Sequence, residues 1–298
     1  MCIRDSYKGD YQQTLCQNID WEEGVFGHNK RGKCAFLRDD DLCDMYIHMG
    51  EDSLCTTCRE YPRHTEEFEN LREITLSLSC PEVAKIVMNT TEPITFVTKE
   101  DETDECYEEF DYFLFSELED VREEMIRIIQ DRNVNIRDRI DKILQISVSV
   151  QRHYDAGSLI SWNEFEESDR VCVENEYELF ERLFLFLFEE FEILYPQWAE
   201  VLVESRLFLF GEGKKVFEQN KEEFETWWNT SNLTPLDIVL EQLVVYFISV
   251  YLLGAVYDEN ILGKVDACIG HTIEIYLLLL GRWLKHGELA MDLSLIHI

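Results

Sequence analysis

The chain has 298 residues, of which 46% are apolar, and its 61 Asp and Glu against 27 Lys and Arg give a formal net charge of -34. This apolar share is typical of a globular protein and excludes a disordered or collagen-like chain. The acidity argues against nucleic-acid binding, because phosphate recognition needs clustered Lys and Arg. It favours a cation or a lysine-rich protein surface as the charged partner.

The two ends of the sequence, MCIRDS at residues 1–6 and LSLIHI at residues 293–298, resemble translated sequencing adapter. We expect both to be sequence artefacts that play no part in the fold, and we expect the natural protein to extend past both ends. Residues 1–13 lack the apolar core of a signal peptide. Together with the acidic composition, this predicts a cytoplasmic protein.

The most apolar segment, Val244–Tyr257 (VVYFISVYLLGAVY), has 14 residues and is flanked by Glu241 and Asp258. A membrane-spanning helix needs about 20 apolar residues. The segment therefore predicts a buried core helix, and the sequence predicts no membrane span.

The chain divides into two regions that differ in composition. Residues 7–90 hold six cysteines, from Cys16 to Cys80, in short irregular segments, whereas residues 103–290 predict long helices. A polar join at residues 89–105 contains Pro93 and favours a short strand over Ile94–Val97. The predicted fold is mainly α, with a small cysteine-rich metal- or cluster-binding module (7–90) followed by an α-helical bundle (103–290).

Apolar residues at three- and four-residue steps predict the helices of the bundle. The first helix should begin near Thr103, and its buried stripe comprises Phe110, Phe113, Leu114, Leu118, Val121, Met125, Ile128 and Ile129. Gly211-x-Gly213 follows an apolar helix and predicts its end. The remaining helices are predicted over Ile136–Tyr154, Glu176–Tyr195, which is apolar nearly all round and is placed deep in the core, Val216–Trp228, Leu236–Tyr257 and Leu262–Lys285.

Five cysteines in Gly32–Met88 follow the spacing Cys34-x8-Cys43-x11-Cys55-x2-Cys58-x21-Cys80, which suggests one shared site. Disulfides fit poorly in an acidic chain without an export signal. Structural zinc and an iron–sulfur cluster each use four thiolates, and both remain open. Only one CxxC pair is present, which favours a cluster over a zinc ribbon. The other cysteines are better explained as small buried apolar residues: Cys16, Cys106, Cys172 and Cys268.

The segment Ser79-Cys80-Pro81-Glu82 predicts a helix start, with Ser79 or Cys80 as the cap and Pro81 in the first turn. A Cys80 thiolate would then lie at the positive end of the helix dipole. The sequence contains no G-x-G-x-x-G after a strand, no G-x-S-x-G and no H-E-x-x-H. The residues alone therefore identify no catalytic and no cofactor-binding residue.

The motifs GKCAFL, DLCDMY, TTCREYPR and LSLSCPE occur in this order over Gly32–Met88. Their order and spacing resemble the flagellin lysine-N-methylase family, and YFISVYLLGAVYD at Tyr246–Asp258 extends the resemblance into the helices. The first part is also similar to small bacterial proteins described as zinc- or iron-chelating.

This resemblance implies a methyltransferase that uses S-adenosylmethionine to methylate lysine ε-amines of flagellin, and it implies a cysteine-bound [4Fe-4S] cluster, with zinc as the alternative. By matching position it implies Cys34, Cys43, Cys58 and Cys80 as ligands, with Cys55 in reserve. Family members carry further cysteines upstream of this region. The alternative function is a non-catalytic, zinc- or cluster-stapled helical module that binds a basic protein.

Overall fold

Contacts divide the chain into two units, Met1–His64 and Thr65–Ile298. The structure is a computed structural model that describes residues 11–29, 33–40, 42–69, 71–100, 110–158, 175–190, 193 and 196–287. Residues 65–90, which we expected in the cysteine-rich module, belong to the helical unit because helix 81–89 packs on the bundle.

Short elements make up the first unit. Strands β1 and β2 pair antiparallel, with Ile19 opposite Phe26. Helices of one or two turns do not persist alone, and here they surround a small apolar core of Tyr11, Leu15, Phe36 and Met45. The elements are α1 (Gln12–Asn18), β1 (Ile19–Asp20), β2 (Val25–Phe26), α2 (Asp44–Met49), a 3-10 turn (Glu51–Ser53) and α3 (Thr56–Glu60).

The second unit is a helical bundle with a two-stranded sheet formed by β3 and β4. Its last long helix, α12, packs against α6, α7, α8, α9 and α10 and so occupies the centre of the unit. The elements are β3 (Arg63–Phe68), β4 (Leu71–Leu76), α4 (Pro81–Asn89), α5 (Tyr112–Ile129), α6 (Ile136–Asp155), α7 (Glu176–Glu189), α8 (Pro196–Phe210), α9 (Lys214–Thr230), α10 (Leu236–Tyr251), a 3-10 turn (Leu252–Gly254), α11 (Ala255–Asp258) and α12 (Ile261–His286).

The mainly α prediction is confirmed, and α6, α9 and α12 lie within two residues of their predicted bounds. The helix predicted over Leu236–Tyr257 is divided into α10, which ends at Tyr251, the 3-10 turn and α11. The helix predicted before Gly211 is α8, which ends at Phe210. The predicted end of the preceding helix is wrong, because α7 ends at Glu189 and Pro196 begins α8. Proline suits the first turn of a helix, where its missing N–H has no partner to lose.

The start of α5 differs from the prediction. Thr103 lies outside the described residues, and the helix begins at Tyr112, where the Asp111 side chain accepts a hydrogen bond from the Leu114 N–H at 3.0 Å. Phe113, expected in the buried stripe, is 88% exposed, and Phe115 is buried instead. Within α5 the buried stripe therefore starts at Leu114, whereas Phe110, which precedes the helix, packs partly buried against the same core.

The strand predicted over Ile94–Val97 is wrong, because these residues form no strand. The side-chain amide of Gln130 takes the place of a neighbouring strand: its Oε1 accepts from the Ile94 N–H at 2.6 Å, and its Nε2 donates to the Ile94 carbonyl at 3.3 Å. The strands β3 and β4 were not predicted, although burial alternates along both, since charged residues obscure the pattern.

Among the described residues, two segments are long and apolar enough to cross a membrane, Leu236–Asp258 and Ile261–His286. Both exceed the 14-residue apolar run noted in the sequence. However, 72% and 56% of their most apolar stretches are buried inside the protein. Packing against other helices requires the same apolar composition as contact with lipid, so a core position accounts for both segments.

A buried ionic cluster connects α10 to the turn between α5 and α6. The Glu241 carboxylate is fully buried. Arg139 donates to it from Nη1 at 2.7 Å, and Arg132 donates from Nη2 at 2.8 Å. Arg139 Nη1 also donates to the Ile129 carbonyl. Each buried charge is therefore compensated, and the cluster fixes where the α5–α6 turn meets α10.

We expect Glu241→Ala to lower the free energy of unfolding by about 3–5 kcal/mol, because it leaves the Arg139 guanidinium buried without an anion. The measurement is thermal and urea unfolding followed by circular dichroism. Glu82→Ala, which breaks the exposed pair with Lys85, is the control and should cost less than about 1 kcal/mol. Equal losses in the two variants would contradict the role of the cluster.

Candidate functional site

A compact loop brings Cys34 and Cys43 to the edge of the small core. The Leu37 N–H donates to the Cys34 carbonyl at 3.0 Å, and Leu37 forms a β-bridge with Cys43. Phe36, between them in sequence, is buried and anchors the loop. Both cysteines are half-buried and pack against the core cluster.

Cys55 and Cys58 occupy the first turn of α3. Cys55 is the N-cap and Cys58 lies three residues further on, so their side chains share one face of the helix. The preceding Leu54 packs on the same core cluster as Cys34 and Cys43, and its carbonyl accepts from Arg59 Nη2 at 3.1 Å.

These four thiols share one neighbourhood, and we call them the cysteine quartet. Cys55 and Cys58 are exposed, whereas Cys34 and Cys43 are half-buried. Partial desolvation and the proximity of Cys55, and then of Cys34 and Cys43, raise the pKa of the Cys58 thiol to about 11. Thiolates so close repel one another. A bound cation removes that repulsion, and a metal ion or cluster binds thiolates rather than thiols.

The donor chemistry of the quartet fits zinc or an iron–sulfur cluster, both of which take four thiolates. Among the described residues, however, no three His, Cys, Asp or Glu side chains have the geometry to hold a metal ion. The two observations differ in range, since charges act over several ångströms whereas a zinc–sulfur bond is about 2.3 Å. Rotation about χ1 moves a thiol relative to the backbone, so the quartet has a shared neighbourhood but not the geometry of a preformed ligand set.

Cys80 has the predicted backbone position. It is the N-cap of α4, with Pro81 in the first turn, and it belongs to the second unit, where it packs against the bundle core. Cys268 is buried as expected, whereas Cys16 is exposed on α1, contrary to expectation. Cys106 and Cys172 lie outside the described residues.

A polar network flanks the quartet and was not predicted. The Tyr11 hydroxyl donates to Asp44 Oδ2 at 2.7 Å, and the Tyr11 ring stacks on His48 at 4.6 Å. Burial and the charges of Asp44, Cys43 and Cys34 raise the pKa of Tyr11. Asp44 follows Cys43 directly in DLCDMY, so the motif contained a signal for it. Tyr11 is remote from the cysteine motifs in sequence, and no sequence feature indicated that it belongs to this network.

The helical unit contains an imidazole held by a buried carboxylate. His271 Nδ1 lies 2.9 Å from Glu274 Oε2 one turn along α12. Glu274 is buried and His271 is partly exposed. The ring of Phe247 packs against His271 with centroids 5.7 Å apart. A carboxylate that holds one ring nitrogen orients the imidazole, and an oriented imidazole can accept a proton.

Two tyrosines on α10 lie near this pair. Burial raises the pKa of Tyr246 and of Tyr251, so both remain protonated and can donate hydrogen bonds. Tyr246 Oη accepts from the Leu78 N–H at 3.2 Å. The ring of Tyr251 stacks on Phe247 at 6.2 Å. Neither His271 nor these tyrosines were predicted, because an apolar helix gives no signal for isolated polar residues.

Comparison with known proteins identifies relatives for part of the chain. Flagellar biosynthetic protein FliU of Salmonella muenchen is 36% identical over 58 residues, which is 20% of this chain and 34% of that protein. The lysine-N-methylases of Salmonella typhimurium (strain LT2) and Salmonella choleraesuis (strain SC-B67) are each 36% identical over 58 residues, which is 20% of this chain and 14% of theirs.

The chain thus covers about a third or less of the length of these relatives. No solved structure matches. The family described as FliB lysine N-methylase C-terminal domain matches residues 122–296, a range that begins within α5 and includes the His271–Glu274 pair. Because this match covers more than half of the 298 residues, the chain belongs to the FliB lysine N-methylase family.

Proposed function

We propose that the protein is an S-adenosylmethionine-dependent methyltransferase that acts on lysine side chains of flagellin. The observation that carries this proposal is the family match over residues 122–296. Two relatives are named lysine-N-methylase, and a third is named for flagellar biosynthesis. The net charge of -34 supports a lysine-bearing substrate, because an acidic protein attracts cations.

The reaction requires a neutral amine. In water the lysine ammonium has a pKa of about 10.4, so a proton must leave before the nitrogen lone pair attacks the methyl carbon. The N–C bond then forms as the S–C bond breaks, and the sulfur leaves as a neutral thioether. We propose His271, oriented by Glu274 at 2.9 Å, as the acceptor of the amine proton.

We expect His271→Asn to lower the rate of methyl transfer about a hundredfold, since loss of a positioned proton acceptor costs at least that much. Glu274→Gln should give a smaller loss, because the ring stays in place without its anionic partner. The measurement is transfer of labelled methyl groups with saturating substrate. His153→Asn, on α6, is the control. Unchanged rates in His271→Asn would contradict the assignment.

We further propose that the cysteine quartet holds a [4Fe-4S] cluster, with zinc as the alternative. The support is that Cys58 lies within electrostatic reach of Cys34, Cys43 and Cys55. The proposed ligands are therefore Cys34, Cys43, Cys55 and Cys58. Cys80, which the family resemblance implies as a ligand, is the alternative to Cys55. The sequence lacks the compact CxxxCxxC of radical enzymes, which favours a cluster that stabilises the first unit. A bound cluster would supply a rigid cross-link between the loop that holds Cys34 and Cys43 and the start of α3.

We expect Cys55→Ser and Cys58→Ser to lose most of the bound iron, whereas Cys16→Ser, the exposed control on α1, keeps it. The measurement is iron and zinc content per chain, with visible absorbance, after anaerobic purification. Cys80→Ser separates the two ligand sets. If it loses the metal while Cys55→Ser retains it, the quartet is not the ligand set.

The methyltransferase itself is tested with labelled S-adenosylmethionine and flagellin. We expect label on lysine residues, and we expect no label on flagellin whose lysines have been acetylated, because the amide nitrogen is not nucleophilic. The products are identified by mass spectrometry of peptides. Absence of label on unmodified flagellin, with a folded and metal-loaded protein, would contradict the proposal.

The second candidate function is a non-catalytic module that binds a basic protein. The observation that favours it is the net charge of -34, which attracts a basic partner with or without chemistry. It predicts salt-sensitive binding of flagellin without any methyl transfer.

A further inference from the structure

Two glutamine side chains attach the segment that follows α4 to the helical unit. Gln242 on α10 donates from Nε2 to the Thr90 carbonyl at 3.2 Å and to the Glu92 carbonyl at 2.8 Å. Gln130 at the end of α5 accepts from the Ile94 N–H and donates to the Ile94 carbonyl. Gln242 is 1% exposed, so its attachment is buried. The backbone of residues 90–94 is therefore fixed on the bundle.

The hydrogen bonds of Ile94 are those of a residue in an antiparallel strand. In such a strand, one residue directs its N–H and its carbonyl to the same neighbour, and the next residue directs both to the opposite side. The Gln130 amide is that neighbour for Ile94. An extended continuation of this backbone directs the N–H and carbonyl groups of Thr95 and Val97 away from Gln130.

The next four residues have an unpaired backbone and exposed apolar side chains. Within the part of the chain that the structure describes, residues 95–98 form no hydrogen bond. Phe96 is 59% exposed and Val97 is 86% exposed. Valine, threonine and phenylalanine are all enriched in strands, and an unpaired backbone with such side chains is a template for another strand. We call residues 95–98 the pairing segment.

Negative charge borders the pairing segment in the sequence. Glu92 precedes it and Glu100 follows it, and both are exposed. Lys99 offsets one of these charges, but residues 100–109 include seven Asp and Glu and no Lys or Arg. An acidic strand is repelled by such a flank, whereas a basic one is attracted. A second copy of this chain, with its net charge of -34, is disfavoured for the same reason.

We propose that the pairing segment binds, as a strand, an extended lysine-bearing segment of the protein substrate, an inference that rests on the proposed function. Addition of a strand to an open strand edge supplies main-chain hydrogen bonds, which do not depend on the side chains of the partner. Phe96 and Val97 contact the incoming segment on opposite faces. Its basic residues are attracted by Glu92 and Glu100.

This pairing explains why residues with high strand propensity form no strand in the chain alone. A strand needs a neighbour along its length, and the Gln130 amide supplies one at Ile94 only. The incoming segment supplies the neighbour for the N–H and carbonyl groups of Thr95 and Val97.

The test uses the full chain without S-adenosylmethionine and a synthetic eight-residue peptide in which valine and lysine alternate. Isothermal titration measures the affinity, and hydrogen–deuterium exchange measures the protection of the backbone amides of residues 95–98. We expect the peptide to bind and these amides to exchange more slowly in the complex, because hydrogen-bonded amides are protected. Absence of binding would overturn the proposal, and so would binding without this protection.

A pair of substitutions at Val97 tests the main-chain contact. Val97→Pro removes one N–H from the open edge but remains compatible with an extended backbone. It should weaken binding about three- to tenfold, the range for one hydrogen bond. Val97→Thr, the matched control, keeps the N–H and the branched side chain and should bind as the unmodified protein does. Equal affinities of the two variants would overturn the pairing. Val97 is exposed, so both variants should fold, which circular dichroism checks.

Two altered peptides separate main-chain pairing from charge. N-methylation of the peptide's backbone nitrogens removes its hydrogen-bond donors but keeps its lysines, and it should abolish most of the binding. Replacement of the lysines by glutamate keeps the donors but reverses the charge, and it should also weaken binding. Unchanged affinity of the N-methylated peptide would overturn the pairing, and unchanged affinity of the glutamate peptide would overturn the basic occupant.

Sedimentation of the protein alone tests the other occupant. We expect the unmodified protein and Val97→Pro to have the same oligomeric state. Self-association that Val97→Pro abolishes would assign the pairing segment to a second copy of the chain and overturn the proposal.

The same variants distinguish this proposal from the methyltransferase itself. If the lysine peptide binds through residues 95–98 but no labelled methyl group reaches it or flagellin, the pairing segment stands and the methyltransferase proposal fails. If flagellin is methylated and its KM is unchanged in Val97→Pro, the methyltransferase stands and the pairing is overturned.

Discussion

The helical unit depends on the burial of α12 among five other helices. Ile261, Val265, Leu277 and Leu280 on this helix are completely shielded from solvent. Gly281 allows α8 to approach closely, because a Cβ at that position would lie 3.1 Å from the Cβ of Ser205. A side chain there would push α8 away and open a cavity, which a close-packed core tolerates poorly. Because His271 and Glu274 sit on α12, the packing that holds the unit together also positions them.

Among the residues that the structure describes in the first unit, no comparable core is present. The four buried apolar side chains described there, with helices of one or two turns, are too few to stabilise a unit of this size alone. The cysteine quartet lies at the edge of that core, and it joins the loop that holds Cys34 and Cys43 to the start of α3. A metal or cluster bound there would stabilise the folded state, because the unfolded chain does not hold the four thiolates together, and it would remove thiolate repulsion. Such a cross-link would reinforce the small core independently of any reaction.

Much of the fold is predictable because the apolar period is strong in α6, α10 and α12. The failures have local causes. The acidic residues before Asp111 resemble a first helical turn, yet the cap at Asp111 decides the start of α5. The Gln130 amide makes the hydrogen bonds that a neighbouring strand would make, and no sequence pattern indicates this partner for Ile94.

For the site, spacing indicated a shared cysteine centre, but the choice between Cys55 and Cys80 depends on tertiary position, which spacing does not encode. The Glu241 cluster joins a polar residue on an apolar helix to arginines remote in sequence, which periodicity does not reveal. The His271–Glu274 pair has the i, i+3 spacing of one helical turn, but spacing does not show that Glu274 is buried.

The acidity of the protein creates a conflict for lysine chemistry. Carboxylates attract the ammonium, but they also favour its charged form and so oppose the loss of the proton that methyl transfer requires. The two tasks are best served by different groups. The many acidic residues of the chain serve attraction, whereas the carboxylate at the proposed proton acceptor, Glu274, lies 2.9 Å from His271 Nδ1 and so favours the protonated imidazole rather than the ammonium. An imidazole can take up the proton, and the neutral amine then meets surroundings that no longer favour its charge. Separation of capture from deprotonation is therefore the arrangement by which so acidic a protein could still methylate an amine.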